Sequence, residues 1–204
     1  MENENILQDD ITLNAIEEYT NCIAKNEIIY QNNFNITIDD IRKTVNNYIA
    51  TTGHRPIVII DYLQVLKPVD PKATDKQQVD YNVEQVKKIS RDFEIPLICI
   101  SSFNRQNYYT PVTFEAFKES GGIEYTADAV IGLQYKVIQD LADDGIKHQV
   151  TTVAKHVKEA KNKIPREIQL VCLKNRSGKS GFSVNFTYNQ VFNHYKEADE
   201  QPSN

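Results

Sequence analysis

Pro56-Ile57-Val58-Ile59-Ile60-Asp61-Tyr62-Leu63-Gln64 is the most informative stretch of this chain. Ile57 to Ile60 are consecutive β-branched apolar residues, the composition of a strand buried on both faces of a parallel sheet. The run stops at a carboxylate. In an open parallel sheet ligands bind beyond the carboxyl ends of the strands, which is where Asp61 falls. A carboxylate there suits the outer coordination of a phosphate-bound Mg²⁺. The plainer alternative is an Asp that only ends a core strand and starts a turn, so the neighbouring segments have to separate the two.

With 204 residues the chain is long enough for one domain with a real core. No apolar run approaches the ~18 residues of a membrane span. The start, Met1-Glu2-Asn3-Glu4-Asn5, is the opposite of a basic signal segment, so a cytoplasmic protein without a membrane partner is expected. Cys22, Cys99 and Cys172 are far apart, and the last two sit in strand-like apolar runs, which points to buried reduced thiols. A formal net charge of −5 argues against wholesale coating of nucleic acid but leaves room for a local basic loop. His54, His148, His156 and His194 lack metal-ligand spacing, and none is given a catalytic role.

Around the Asp61 strand, helices and strands alternate. Helical spacing runs over residues 7–24, and Glu27–Tyr30 is a short strand candidate. Thr37 can cap a helix that ends at Thr52-Gly53-His54, and Thr74-x-x-Gln77 has the form of a capping box opening a helix to about Phe93. Strands are expected at Ile95–Ser101, Ala129–Gln134 and Glu167–Lys174. A loop over 103–122, a charged and partly helical span over 138–163 and a closing hairpin, Phe182–Tyr188 with Val191–Tyr195, complete the pattern. The expected class is α/β, with a mainly parallel central sheet flanked by helices and an antiparallel C-terminal hairpin. The chain reads as one domain over 1–204, with a charged insertion at 136–165 and a disordered tail at 196–204.

Three segments carry candidate chemistry. Ser101-Ser102-Phe103-Asn104-Arg105 follows a strand, so its polar groups emerge at the same sheet edge as Asp61; they either sense a phosphate or satisfy their own loop. Lys118-Glu119-Ser120-Gly121-Gly122 joins a cation to glycines that let the backbone approach a phosphodiester, or is an ordinary flexible loop. Lys174-Asn175-Arg176 puts two cations on one face of a strand end, suited to a polyphosphate, or marks a solvated hairpin entrance. Gly178-Lys179-Ser180 is not a phosphate-binding loop: GxxxxGK[ST] needs Gly where Leu173 stands, and Phe182–Phe186 continues as a strand.

In this order, the segments resemble the C-terminal motor domain of DnaB-type replicative DNA helicases, over roughly residues 8–195. Ile57–Gln64 is similar to the family's Walker B strand, Ser101–Arg105 to its sensor segment, and Lys118–Gly121 with Ile123-Glu124 and Ala127-Asp128 to its DNA-contacting loop. Lys174 and Arg176 correspond to a Lys-x-Arg that reaches the nucleotide of an adjacent subunit. The resemblance implies a RecA-like fold, ATP and Mg²⁺ with Asp61 as metal ligand, and Asp61, Lys174 and Arg176 in catalysis. It implies Ser102, Asn104 and Arg105 as sensors and Lys118, Glu119, Ser120 and Gly121 on single-stranded DNA, in a homo-hexameric ring. Ser102 departs from the usual Gln. The family's phosphate loop would lie before residue 1, so turnover by this chain alone is not expected, and the primase-interacting domain is absent. The competing reading is a RecA-like module without a phosphate loop that binds DNA or a helicase subunit without turnover. An unrelated doubly wound enzyme ranks last, for want of a glycine-rich βα turn.

Overall fold

The structure, a computed structural model, describes residues 10–23, 29, 31, 35–117, 121–145 and 149–198. Its contacts divide the chain into two units, Met1–Phe34 and Asn35–Asn204. The first holds α1 (Asp10–Ile23), where Leu13, Ile16 and Tyr19 recur at helical spacing and are exposed. Most of the expected strand at 27–30 lies outside the described residues.

The first two helices of the second unit start where the sequence supplies caps. At α2 (Ile38–Thr52), the Asp40 N–H donates to Thr37 Oγ1 at 3.2 Å and the Thr37 N–H to Asp40 Oδ2 at 3.0 Å. Gly53 ends it at φ 71°, a left-handed conformation that glycine adopts without strain, and its N–H donates to Ile49 O. α3 (Asp75–Phe93) repeats the reciprocal cap with Thr74 and Gln77.

Between and after these helices run β1 (Val58–Ile60) and β2 (Leu97–Cys99), paired in parallel with Val58 opposite Leu97 and Ile60 opposite Cys99. Val58, Ile60, Leu97 and Cys99 face a core that includes Ile38 and Val45 of α2, Val79, Val83 and Ile89 of α3, and Leu63 and Leu66. The opposite face is different. Ile57, Ile59 and Ile98 are 66%, 63% and 53% exposed, and Ile100 is exposed beside them. The expectation of a strand buried on both faces is therefore corrected to burial on one, because α2 and α3 both cover the same side.

The remaining strands do not enlarge a parallel sheet. After α4 (Gly121–Thr126) come β3 (Ala129–Tyr135), α5 (Lys136–Asp143), α6 (Val150–Asn162), β4 (Arg166–Asn175), β5 (Phe182–Asn189) and β6 (His194–Glu197). β3 to β6 form a four-stranded antiparallel sheet in sequence order. The expected mainly parallel sheet thus reduces, among the described residues, to the pair β1–β2. A parallel return needs one crossover element, whereas α5 and α6 pack on each other and bring the chain back against the strand it left. Along β3, exposed and buried residues alternate, as in an antiparallel strand covered on one face. The span 136–165 is thus mostly two helices around a cluster of Ile138, Val153 and Val157.

A buried amide ladder fixes the register. Gln134 Oε1 accepts from Val112 N at 2.7 Å, Gln134 Nε2 donates to Gln169 Oε1 at 2.7 Å, and Gln169 Nε2 donates to Asn185 Oδ1 at 3.0 Å. Gly132 of β3 lies so close to Val112 that a Cβ would collide with its side chain. β6 begins at His194 rather than Val191, since Asn189 Oδ1 accepts from Val191 N and Asn193 takes φ 49° to close the turn. Of the expected tail, Lys196 and Glu197 are in β6, paired with Thr187 and Phe186; residues 199–204 lie outside the described residues.

Candidate nucleotide and nucleic-acid site

Because β1 and β2 run the same way, their carboxyl ends share an edge. Ile100 N donates to Ile60 O and Leu63 N to Ile100 O, both at 2.9 Å, which pins the exit of each strand. Asp61 is exposed at this exit. Gln64 spans it, with Nε2 donating to Ser101 Oγ at 2.8 Å and Oε1 accepting from Ser102 N at 3.4 Å. Sequence reasoning assigned Gln64 no role; its place three residues beyond the strand-ending Asp was the available signal. No group of three or more His, Cys, Asp or Glu among the described residues could hold a metal.

Asn104 is committed to its own loop. Its Oδ1 accepts from Asn107 N, its Nδ2 donates to Glu115 O, and its N–H donates to Ala116 O. Arg105 is exposed in the 3₁₀ turn that Asn104 caps. The Phe103 ring meets Phe117 edge-on at 5.1 Å, so the 101–105 segment is braced against the residues leading to position 118. Lys118, Glu119 and Ser120 lie outside the described residues; Gly121 opens α4, which packs on α3.

Lys174 and Arg176 do share a face. Lys174 Nζ donates to Glu124 O, and Arg176 Nη2 donates to Tyr125 O at 2.6 Å, so both cations sit on carbonyls at the end of α4. Arg176 Nη1 also binds Asp128 Oδ1 at 2.9 Å, and Lys87 Nζ meets both Asp128 oxygens at 2.9 and 2.7 Å. The Lys87 hydrogen bond above all, with Arg176 adding to it, holds the Asp128 carboxyl below its ordinary range. Lys174 belongs to the antiparallel sheet, not to the edge shared by Asp61 and Ser102. Arg176, which the resemblance directs to an adjacent subunit, is held by its own chain here. Sequence reasoning did not see the link from Asp128 to Lys87 and Arg176, which lie 41 and 48 residues away in the chain.

The family model of the DnaB-like helicase C terminal domain matches residues 1–197. The chain belongs to that family. The replicative DNA helicase DnaB of Helicobacter pylori (strain J99 / ATCC 700824) is 25% identical over 210 residues, covering 94% of this chain and 43% of that protein. A probable replicative DNA helicase of Trieres chinensis is 30% identical over 104 residues, 48% of this chain and 23% of that one. This DnaB-like chain therefore spans less than half the length of these curated relatives. In fold it is similar to a solved ATPase domain, with a TM-score of 0.69 and 19% identity over 92% of this chain and 61% of that one. A DnaB-like replicative helicase, described with its interactions with primase, gives a TM-score of 0.68 at 18% identity, over 96% of this chain and 44% of that one. No helix among the described residues is long and apolar enough to cross a membrane.

Proposed function

We propose that this chain is part of a cytoplasmic, ATP-driven replicative DNA helicase that works as a homo-hexameric ring on single-stranded DNA. The carrying observation is the shared edge of β1 and β2, where Asp61 leaves one strand and Ser101 and Ser102, tied down by Gln64, leave the other, beside an exposed isoleucine face. Parallel strands are normally covered on both sides, and a phosphate-loop unit whose strand pairs beside β1 or β2 and whose helix lies on Ile57, Ile59 and Ile98 would complete both the sheet and the ATP site. The 204 residues contain no GxxxxGK[ST], so that loop is supplied from outside them. In this reading Asp61 holds Mg²⁺, Ser102 and Arg105 respond to the phosphate, Asn104 shapes their loop, and Lys118–Gly121 contacts DNA. The bracing of Phe103 on Phe117 supports communication between the last two segments.

Lys174 and Arg176 act on a neighbour's nucleotide. For that, Arg176 leaves Asp128, and the carboxylate keeps both of its contacts to Lys87. Leaving the exposed ion pair costs about 0–1 kcal/mol, and the hydrogen bond to Tyr125 O is given up with it. Such a trans Arg stabilises charge on the transferred phosphoryl and is worth ~10³-fold or more in turnover. In the full-length protein, Arg176→Ala should therefore abolish ATP hydrolysis while nucleotide binding persists. Mixing it with Asp61→Ala should restore part of the rate. A mixture that stays inactive although mixed rings form would remove the trans assignment. The non-catalytic module draws on the missing GxxxxGK[ST]. It would be favoured if the full-length protein also failed to hydrolyse ATP.

A further inference from the structure

At the end of β4 away from Lys174 and Arg176, two turns stand side by side. One joins α6 to β4 through Lys163-Ile164-Pro165, and the other joins β5 to β6 through Gln190-Val191-Phe192-Asn193. Gln190 Nε2 donates to Lys163 O at 3.1 Å and ties them together. Both turns leave apolar side chains in water: Ile164 is 62% exposed, Val191 66% and Phe192 77%. The β5–β6 turn does not need them. Turns are ordinarily built from glycine and small polar residues, and here two asparagines meet the demands of the backbone. Asn189 Oδ1 accepts from Val191 N at 3.0 Å, Asn193 takes the left-handed φ of 49°, and the Tyr188 hydroxyl donates to Asn193 Oδ1 at 3.0 Å. The turn thus holds its shape without help from Val191 or Phe192, which it presents to solvent.

Cations stand behind this apolar tip. Lys163 adjoins Ile164, Lys161 lies in the last turn of α6 with its carbonyl accepting from Arg166 Nε at 2.9 Å, and Lys196 follows on β6. Against these four cations the same segments carry only Glu167 and Glu197, a local positive excess on a chain whose net charge is −5. Apolar side chains foremost with basic ones just behind them is the layering of a peripheral membrane contact: the apolar groups enter the acyl boundary and the cations meet anionic headgroups. A pocket on a partner protein would take one knob, whereas a flat bilayer engages both turns and their cations together. We propose that the paired turns at 163–165 and 190–193 dock on an anionic lipid surface from the cytoplasmic side. The contact is peripheral and needs no spanning helix. It departs from the sequence-based expectation of no membrane partner, because Ile164, Val191 and Phe192 lie far apart in the chain from any long apolar run. It stands independently of the helicase reading, since none of these residues belongs to the nucleotide or DNA segments.

The chain contains no tryptophan, so Phe192→Trp makes position 192 a single indole reporter. With phosphatidylcholine vesicles containing about one-third phosphatidylglycerol, its emission should shift to the blue; with phosphatidylcholine alone it should barely move. In co-sedimentation of the 204-residue chain with the anionic vesicles, Phe192→Ala should weaken binding roughly tenfold or more. Lys161→Gln with Lys163→Gln should weaken it roughly thirtyfold, and added salt should reproduce much of that loss. Emission that stays unshifted with anionic vesicles, or Phe192→Ala sedimenting like the wild type, would overturn the proposal. So would an equal blue shift with poly-glutamate, which would make an acidic protein the occupant. Self-association that Phe192→Ala abolishes would overturn it too, by making a second copy the occupant. ATP hydrolysis by the full-length Phe192→Ala protein in solution should match the wild type, so a failure of the lipid contact leaves the helicase reading untouched.

Discussion

Ile59 and Ile60 are neighbours of one residue type in one strand, yet the structure gives them opposite environments. Ile60 is 5% exposed and packs into the core; Ile59 is 63% exposed. Truncating Ile60 to Ala leaves a cavity among Val45, Leu63 and Val83 and should cost about 2–5 kcal/mol. At Ile59 only about a third of the side chain is buried. Full burial is worth about 1.5–3 kcal/mol, so Ile59→Ala should cost about 0.5–1 kcal/mol. At about 2–4 °C per kcal/mol for a chain of this size, Ile60→Ala lowers the melting temperature by roughly 4–20 °C and Ile59→Ala by roughly 1–4 °C. Urea and thermal melts of the purified chain, followed by circular dichroism, measure both. Equal losses at the two positions would refute the one-sided strand and reinstate burial on both faces. If a phosphate-loop unit does cover this face, the Ile59 cost should rise toward the Ile60 value in the full-length protein.

Gly132→Ala drives a Cβ into Val112 and should cost about 1–3 kcal/mol in a urea melt, with partial recovery when Val112 is also cut to Ala. Gln134→Leu deprives the Val112 N–H and Gln169 of their partner and should cost a further about 1–3 kcal/mol; unchanged stability would mean that the ladder contributes nothing. The carboxyls of Asp40, Asp92 and Asp128 are held low, by Thr37, by Arg42 and by Lys87 first of all. A depressed folded pKa contributes stability above the ordinary value of 3.8 that is lost as the pH falls through the lower folded one. Urea midpoints should therefore drop on acidification below about pH 4, less steeply in Asp128→Asn; a flat profile would contradict this. Burial pushes the Cys99 thiol up to about 11, so iodoacetamide near neutral pH should label it far more slowly in the native protein than in urea.

Local signals in the sequence were readable to within a residue or two. Thr37 and Thr74 cap α2 and α3 as their spacing implies, and Gly53 ends α2. The partners of the later strands were not readable, because Ala129–Leu133 is a near-continuous apolar run that hides the alternating burial of β3, and the choice of sheet rests on how α5 and α6 return the chain. The bare side of β1 was hidden for a related reason: Ile57 and Ile59 carry the same apolar signal whether or not anything covers them. At the site, the shared edge of Asp61 and Ser102 followed from two buried runs of the same polarity. The hold of Asp128 on Arg176 did not, because charges on an exposed turn pair through space and leave no periodic mark.

The amide ladder also bears on when this chain can fold. Gln134 takes one hydrogen bond from Val112, earlier in the chain, but its Nε2 needs Gln169, and Gln169 in turn reaches Asn185, while β6 closes the edge of β5 at Glu197. During synthesis β3 therefore emerges with its buried amide only half matched and waits through two helices for β4. The sheet cannot finish until the last strand has left the ribosome. Pairings this distant in sequence form slowly, and surfaces left open meanwhile invite association. The C-terminal sheet is therefore expected to close at once, when β6 becomes available, rather than strand by strand.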